Sequence, residues 1–224
     1  MIRGESSTTY LFFYQKCIAN IKRIHPNPEQ VKIVIALRNP VDRAYSQYMH
    51  KLRDGAESLS FEEALDKEQW RKENNWHFDY QYVQRGFYYE QVKAFLENFS
   101  STKIYLSEDL RNDAAGVVNS LEEFLGIEKL PLDFGGELNA SGEGKIESLN
   151  KFLKKENPLK KFVGSLFPKA LRRRMRLKVQ STVYKYNLEK KEMNPETRER
   201  LKKIFHDDVQ KLQELIGRDL SSWL

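Results

Sequence analysis

The chain has 224 residues, of which 40% are hydrophobic and 12% aromatic, with one cysteine and a formal net charge of +6. This composition excludes a disordered chain, an intrachain disulfide framework and a cysteine-based metal cluster, and the length suits a single domain, residues 1–224, with a substantial core. The charge is lopsided: Lys151 to Lys191 carries 14 Lys and Arg against Glu156 and Glu189, a local +12, so the rest of the chain sums to −6.

In chain order, "RGESSTTYLFFYQKCIANIKRIHP" predicts a short loop and then a helix, capped by Ser7 or Thr8 and ended by Pro26. Lys32 to Leu37 follows as a strand, and its continuous apolar run predicts burial on both faces, as in a parallel sheet. Asn39 then suits an N-cap, Pro40 the first helical position and Asp42 the first turn. Val41, Tyr45, Tyr48 or Met49, and Leu52 give that helix a core face. "SFEEALDKEQW" predicts another helix, with Ser60 and Glu63 at capping-box spacing. "GFYYEQVKAFLENFS" predicts a third helix, and "TKIYL", Thr102 to Leu106, a second strand. "DAAGVVNSLEEFLG" predicts a helix stopped by Gly126. Phe134 to Gly144, rich in Gly, Asn and Ser, predicts a loop. "NPETRERLKKIFHDDVQKLQELIG" closes the pattern as a long amphipathic helix with Leu201, Phe205, Val209, Leu212 and Ile216 on one face. Alternating strands and helices define an α/β layered domain.

The stretch "KIVIALRNPVDRAYSQYMHK" delivers an arginine, Arg38, just past a strand and just ahead of a helix. Ligands of open α/β sheets sit beyond the carboxyl ends of the strands, and helix N-termini favour anions. With Ser46 two turns into the helix, a planar fork of donors and a neutral hydroxyl describe a phosphate site. The alternative pairs Arg38 with a carboxylate such as Asp42 or Glu108 and leaves Ser46 without a role.

These residues carry a resemblance. "LRNPVDRAYSQY" resembles the 3′-phosphate-binding segment of sulfotransferases, which take their sulfuryl group from 3′-phosphoadenosine 5′-phosphosulfate (PAPS). "GESSTTYL" is similar to that family's Gly-Glu-x-Ser-x-x-Tyr segment, "RGFYYEQVKAFLENF" to a helix of its heparan-sulfate and bacterial branches, and "KIYLSEDL", "LEEFLGI" and "LIGRDLSSWL" to the parts that follow. The resemblance implies a P-loop-like three-layer α/β domain with a central, mostly parallel sheet flanked by helices. It implies that Arg38 and Ser46 bind the 3′-phosphate, that Arg85, Gly86 and Tyr88 line the nucleotide and acceptor cleft, and that Lys145, with Asn139 and Ser141, completes the phosphate pocket. It offers Glu5 as the base that takes the acceptor's proton, the alternative being a structural carboxylate near a chain end. Ser6 stands where many relatives carry a lysine, which puts a donor-bridging lysine in doubt. The implied partners are the nucleotide donor and a carbohydrate acceptor, with no metal and no nucleic acid.

The sequence departs from the family at its start, which lies downstream of the usual first strand and glycine-rich 5′-phosphosulfate loop. "GEGK", Gly142 to Lys145, is too short to replace that loop and is followed by Ile146 rather than Ser or Thr. The expectation is a domain lacking its first strand and phosphate loop, either a truncated enzyme or an inactive relative, with an exposed sheet edge and a tendency to associate. Each lost oxyanion donor costs roughly 2.7–4 kcal/mol of transition-state stabilisation.

His25, His50, His77 and His206 are scattered without metal-ligand spacing. Cys17 sits among helical apolar residues and reads as a small buried hydrophobe. The basic segment, residues 158–191, is amphipathic. It packs on the domain and solvates its charges, or it works through Lys160 to Lys178 as a cationic surface for an anionic polysaccharide or a membrane face. No apolar run approaches the roughly 20 residues that span a bilayer, and no signal layout opens the chain, so the expectation is a cytoplasmic protein with peripheral membrane contact at most.

Overall fold

The computed structural model describes residues 3–129, 143–144, 188–189 and 192–224. They divide into two compact units, one drawing on 3–44, 81–129 and 195–224, the other on 45–80, 143–144, 188–189 and 192–194. Lys145, Asn139 and Ser141, the loop from Phe134 and the basic segment 158–191 lie outside the described residues, Glu143, Gly144, Leu188 and Glu189 excepted.

The first unit is built on two parallel strands, β1 (Ile33–Leu37) and β2 (Thr102–Leu106), paired in register from Ile33 opposite Thr102 to Leu37 opposite Leu106. Both boundaries follow the apolar runs. The burial does not. Ile35 and Leu37 are buried, whereas Ala36 is exposed and Val34 is 42% exposed. An unbroken apolar run cannot say which face is covered, and in β1 the buried side chains lie on the Ile35–Leu37 face.

Helices α1 (Tyr14–Ile24), α5 (Tyr89–Asn98), α6 (Ser107–Asn112), α7 (Ala114–Leu125) and α8 (Pro195–Ile216) complete this unit, with the first turns of α2 (Pro40–Arg53). Leu201, Phe205, Val209 and Leu212 of α8 are buried at the predicted spacing, with Val92 and Phe95 of α5 and the carboxyl-terminal Trp223. Each such side chain contributes about 1.5–3 kcal/mol by leaving water. Gly126 ends α7 at φ 73°, the left-handed position its sequence predicts.

One expectation at a helix start is corrected, and one helix start was not predicted. Helix α1 begins at Tyr14, with no side-chain cap, because the Ser7 hydroxyl bonds the Thr9 hydroxyl at 2.8 Å and accepts from the Thr9 amide, closing a local turn instead. Helix α6 starts within "SEDL", where Asp109 Oδ2 accepts from the Leu106 amide at 2.9 Å. Cys17 is half-buried rather than buried, and burial raises its thiol above the ordinary range.

Arg218 donates both terminal nitrogens to Asp109, at 2.7 and 3.2 Å, fastening the carboxyl-terminal stretch to α6. The guanidinium holds the Asp109 carboxyl below its usual range, helped by the Leu106 amide and opposed by burial. A depressed folded-state pKa stabilises the fold above the unfolded value, about 3.9, and that contribution disappears as pH falls through the folded value. Asp109→Asn is therefore expected to melt below the wild type at pH 7, by about 0.5–1 kcal/mol for a part-exposed pair, and the gap to narrow as pH falls below the unfolded value in a melting series.

In the second unit α2 continues, burying Tyr48 and Met49 and packing Tyr45 and Tyr48 on Phe61, with ring centroids 5.0–6.1 Å apart. The capping box forms as predicted: Glu63 accepts from the Ser60 amide at 2.9 Å, and Ser60 from the Glu63 amide at 3.3 Å. The predicted single helix is two, α3 (Phe61–Asp66) and α4 (Glu68–Glu73), broken at Lys67. A two-residue antiparallel ladder pairs β3 (Glu143–Gly144) with β4 (Leu188–Glu189). Among the described residues no helix is long and apolar enough to cross a membrane.

Candidate functional site

Arg38 is the first residue beyond β1, and the parallel pairing places it at the same end of the sheet as the start of α6. Its side chain is exposed. The carboxylates that could have neutralised it are paired elsewhere: Asp42 with Arg198 at 2.8 Å, and Glu108 with Arg111 at 3.1 Å. Among the described residues no acid lies within ion-pair distance of Arg38.

The next residues explain how that arginine is presented. Asn39 is buried, and its Oδ1 accepts from the amides of Val41 at 2.9 Å and Asp42 at 3.4 Å, so it caps α2 as predicted. The cap also takes up the first amide donors of α2. An anion here would meet the Arg38 guanidinium and the helix dipole rather than free backbone N–H groups.

Behind Arg38 stands Tyr88, only 4% exposed, whose hydroxyl donates to the Arg38 carbonyl oxygen at 3.1 Å. Burial raises the Tyr88 phenol, and the positive charges of Arg43, Arg38 and Arg85 pull it back down. Three guanidinium groups thus act on one buried hydroxyl. Arg43 donates to the Tyr82 carbonyl, and Arg85 donates to the Thr8 carbonyl at 3.3 Å with its guanidinium 5.9 Å from the Phe12 ring centroid. Asp208 of α8 secures the turn from the other side, accepting from the Tyr88 amide at 2.7 Å and the Tyr89 amide at 3.2 Å. Burial raises the Asp208 carboxyl while those two amides oppose the shift.

Gly86 is packed so closely that a methyl group there would lie 2.7 Å from Phe205 Cε1 and Cζ and 3.1 Å from Pro40 Cβ. Gly86→Ala must displace the ring or the turn, and is expected to lower stability by about 1–3 kcal/mol in a denaturant titration. Glu5 is exposed, and its carboxylate accepts from the Tyr10 hydroxyl. That bond raises the Tyr10 phenol. Ser46 lies on α2 and belongs to the second unit, half-buried.

The structure therefore gathers Arg38, Arg85, Gly86 and Tyr88 in one unit and brings Arg38 and Tyr88 into direct contact. Sequence reasoning missed Arg43 and Asp208, whose partners lie 39 and 120 residues away. No spacing rule signals such pairs.

Arg38, without a carboxylate partner among the described residues, stands at the carboxyl end of a parallel strand and ahead of a capped helix, in an α/β protein of the P-loop-like class. A family model described as "Sulfotransferase domain" matches residues 25–215, so the chain belongs to the sulfotransferase family. The chain is also similar to a solved structure, a sulfotransferase from Alicyclobacillus acidocaldarius, at 30% identity and a TM-score of 0.65, over 99% of this chain and 69% of that one. No curated protein matches it. The activity class is sulfuryl transfer.

Proposed function

We propose that the protein transfers a sulfuryl group from PAPS to a hydroxyl or amine of a carbohydrate acceptor, and that residues 1–224 work as one sulfotransferase domain. The observation that carries the reading is Arg38, exposed beyond β1 and without an acid partner among the described residues.

In this reading Arg38 and Ser46 hold the nucleotide's 3′-phosphate, the guanidinium as a two-pronged donor and the hydroxyl as a neutral one. Tyr88 is a positioning residue, fixing the Arg38 backbone through its carbonyl. Gly86 lets the turn at residues 84–86 press on Pro40, the first residue of α2, and Arg85 and Arg43 add positive potential around Tyr88. Lys145 adds a further cation toward the nucleotide, and Glu5 accepts the proton of the acceptor group. Bound PAPS supplies an activated sulfuryl group. The chain's residues supply charge stabilisation and position, which carry most of the catalysis in transfers of this kind. The single cysteine fits a cytoplasmic setting.

The test is calorimetric titration with adenosine 3′,5′-bisphosphate against AMP, which lacks the 3′-phosphate. The reading requires heat with the bisphosphate and at least tenfold weaker binding of AMP. Equal binding, or none to the folded protein, rejects it.

A further inference from the structure

The second unit leaves two large apolar side chains exposed among its described residues, and they are neighbours: Trp70, 51% exposed, and Trp76, 43% exposed. Their ring centroids are 6.2 Å apart at an interplanar angle of 61°. The chain makes an effort to bring them together. Asn75 adopts φ 57°, a conformation side chains rarely take, and this reversal sets the Trp76 amide 2.9 Å from the Arg71 carbonyl.

The Trp76 indole is held from below, and Trp70 packs on it. The Arg71 guanidinium lies 4.9 Å from the Trp76 ring centroid and 5.0 Å from that of Tyr80. It is locked by two bonds to Glu57, at 2.6 and 2.9 Å, with both side chains at most 3% exposed. Tyr80 meets Trp76 edge-on at 5.1 Å and donates its hydroxyl to the Ala56 carbonyl at 2.7 Å. An exposed aromatic surface fixed in this way has little conformational entropy left to lose on binding.

The surroundings narrow the ligand. The residues flanking the two indoles are polar, Gln69, Glu73, Asn74, Asn75 and His77, without an exposed aliphatic side chain among them. Arg71 is neutralised by Glu57 and Asp79 pairs with Lys51 at 3.2 Å, which leaves Lys67 and Lys72 against Glu68 and Glu73, so the segment has no net charge to attract a polyanion or a polycation. Aromatic faces with a polar rim of no net charge suit a molecule with an apolar C–H face and hydroxyls around its edge. That is a sugar ring, whose polarised C–H groups meet the electron-rich face of an indole. We propose that the Trp70–Trp76 face binds the uncharged sugar rings of an oligosaccharide. The proposal rests on the carbohydrate reading of the acceptor given above.

The probes are neutral β-1,4-linked hexasaccharides of glucose and of N-acetylglucosamine, followed by intrinsic tryptophan fluorescence on the full chain. Of its three tryptophans, Trp223 is 2% exposed, so any saccharide response reports on the other two. The expected result is a saturable change in wild type that weakens at least tenfold in Trp70→Ala and in Trp76→Ala, and is kept in Trp70→Phe. Far-UV circular dichroism and bisphosphate binding stay unchanged in these variants. No response to either hexasaccharide from the folded protein overturns the proposal, and so does a response that survives in both alanine variants. A dimer that Trp70→Ala converts to monomer, with no saccharide response, overturns it in favour of a self-association face. Saccharide binding without bisphosphate binding leaves the proposal standing and fells only the donor reading.

Discussion

Arg71→Met is expected to destabilise the second unit by about 3–5 kcal/mol, among the largest single-residue losses in the described part of the chain. The reason is the carboxylate it leaves behind. Glu57 is 2% exposed and takes both guanidinium nitrogens of Arg71, while its Oε1 also accepts from the amides of Ser58 at 3.0 Å and Leu59 at 3.2 Å. Methionine fills much of the same volume between Trp76 and Tyr80 but leaves a buried, uncompensated charge. The penalty should therefore belong to the charge and not to the lost bond, and a second substitution separates the two. Glu57→Gln keeps an oxygen for the Ser58 and Leu59 amides and removes the charge, so the double variant is expected to recover half or more of the loss. Urea unfolding followed by tryptophan fluorescence in a Trp223→Phe background, which reports on Trp70 and Trp76, measures both variants. A single-variant loss below 1 kcal/mol would show that the pair does not hold the unit together.

That ion pair marks the boundary between what was legible in the sequence and what was not. Signals confined to a few neighbouring residues were readable. Asn39 caps α2, Ser60 and Glu63 close a capping box, Gly126 takes the left-handed stop and the α8 stripe is buried from Leu201 to Leu212, with Ile216 half-buried, because each depends on spacing that the backbone geometry fixes. The same local reasoning misplaced the start of α1, where Ser7 had a nearer partner in Thr9, and it missed α6, whose capping acid Asp109 is also the anchor of Arg218, 109 residues on. No sequence rule joins Glu57 to Arg71, 14 residues on, and only the fold buries them against each other. The candidate site divides in the same way. Arg38 was legible from strand, break and helix in sequence, whereas its support by Tyr88 and Asp208 depends on how α5 and α8 pack.

The dependence of donor binding on Arg38 is the sharpest test of the proposed site. Truncating one partner of a hydrogen-bonded charge pair typically costs 2–5 kcal/mol, and each 1.4 kcal/mol is tenfold in affinity, so Arg38→Ala is expected to weaken adenosine 3′,5′-bisphosphate by at least about 30-fold. AMP should lose little, since it lacks the group the guanidinium grips. Arg38→Lys keeps the charge without the planar fork and should fall between, and Ser46→Ala, which removes a neutral donor, should cost about 1 kcal/mol. Tyr88→Phe is the informative companion. It leaves every arginine in place and removes only the hydroxyl that fixes the Arg38 carbonyl. If preorganisation of Arg38 matters, this variant also weakens the bisphosphate while sparing AMP, although it changes no charge. If Arg38→Ala and wild type bind the bisphosphate alike, the guanidinium beyond β1 is not the phosphate site, and the assignments of Tyr88 and Gly86 to its support fall with it.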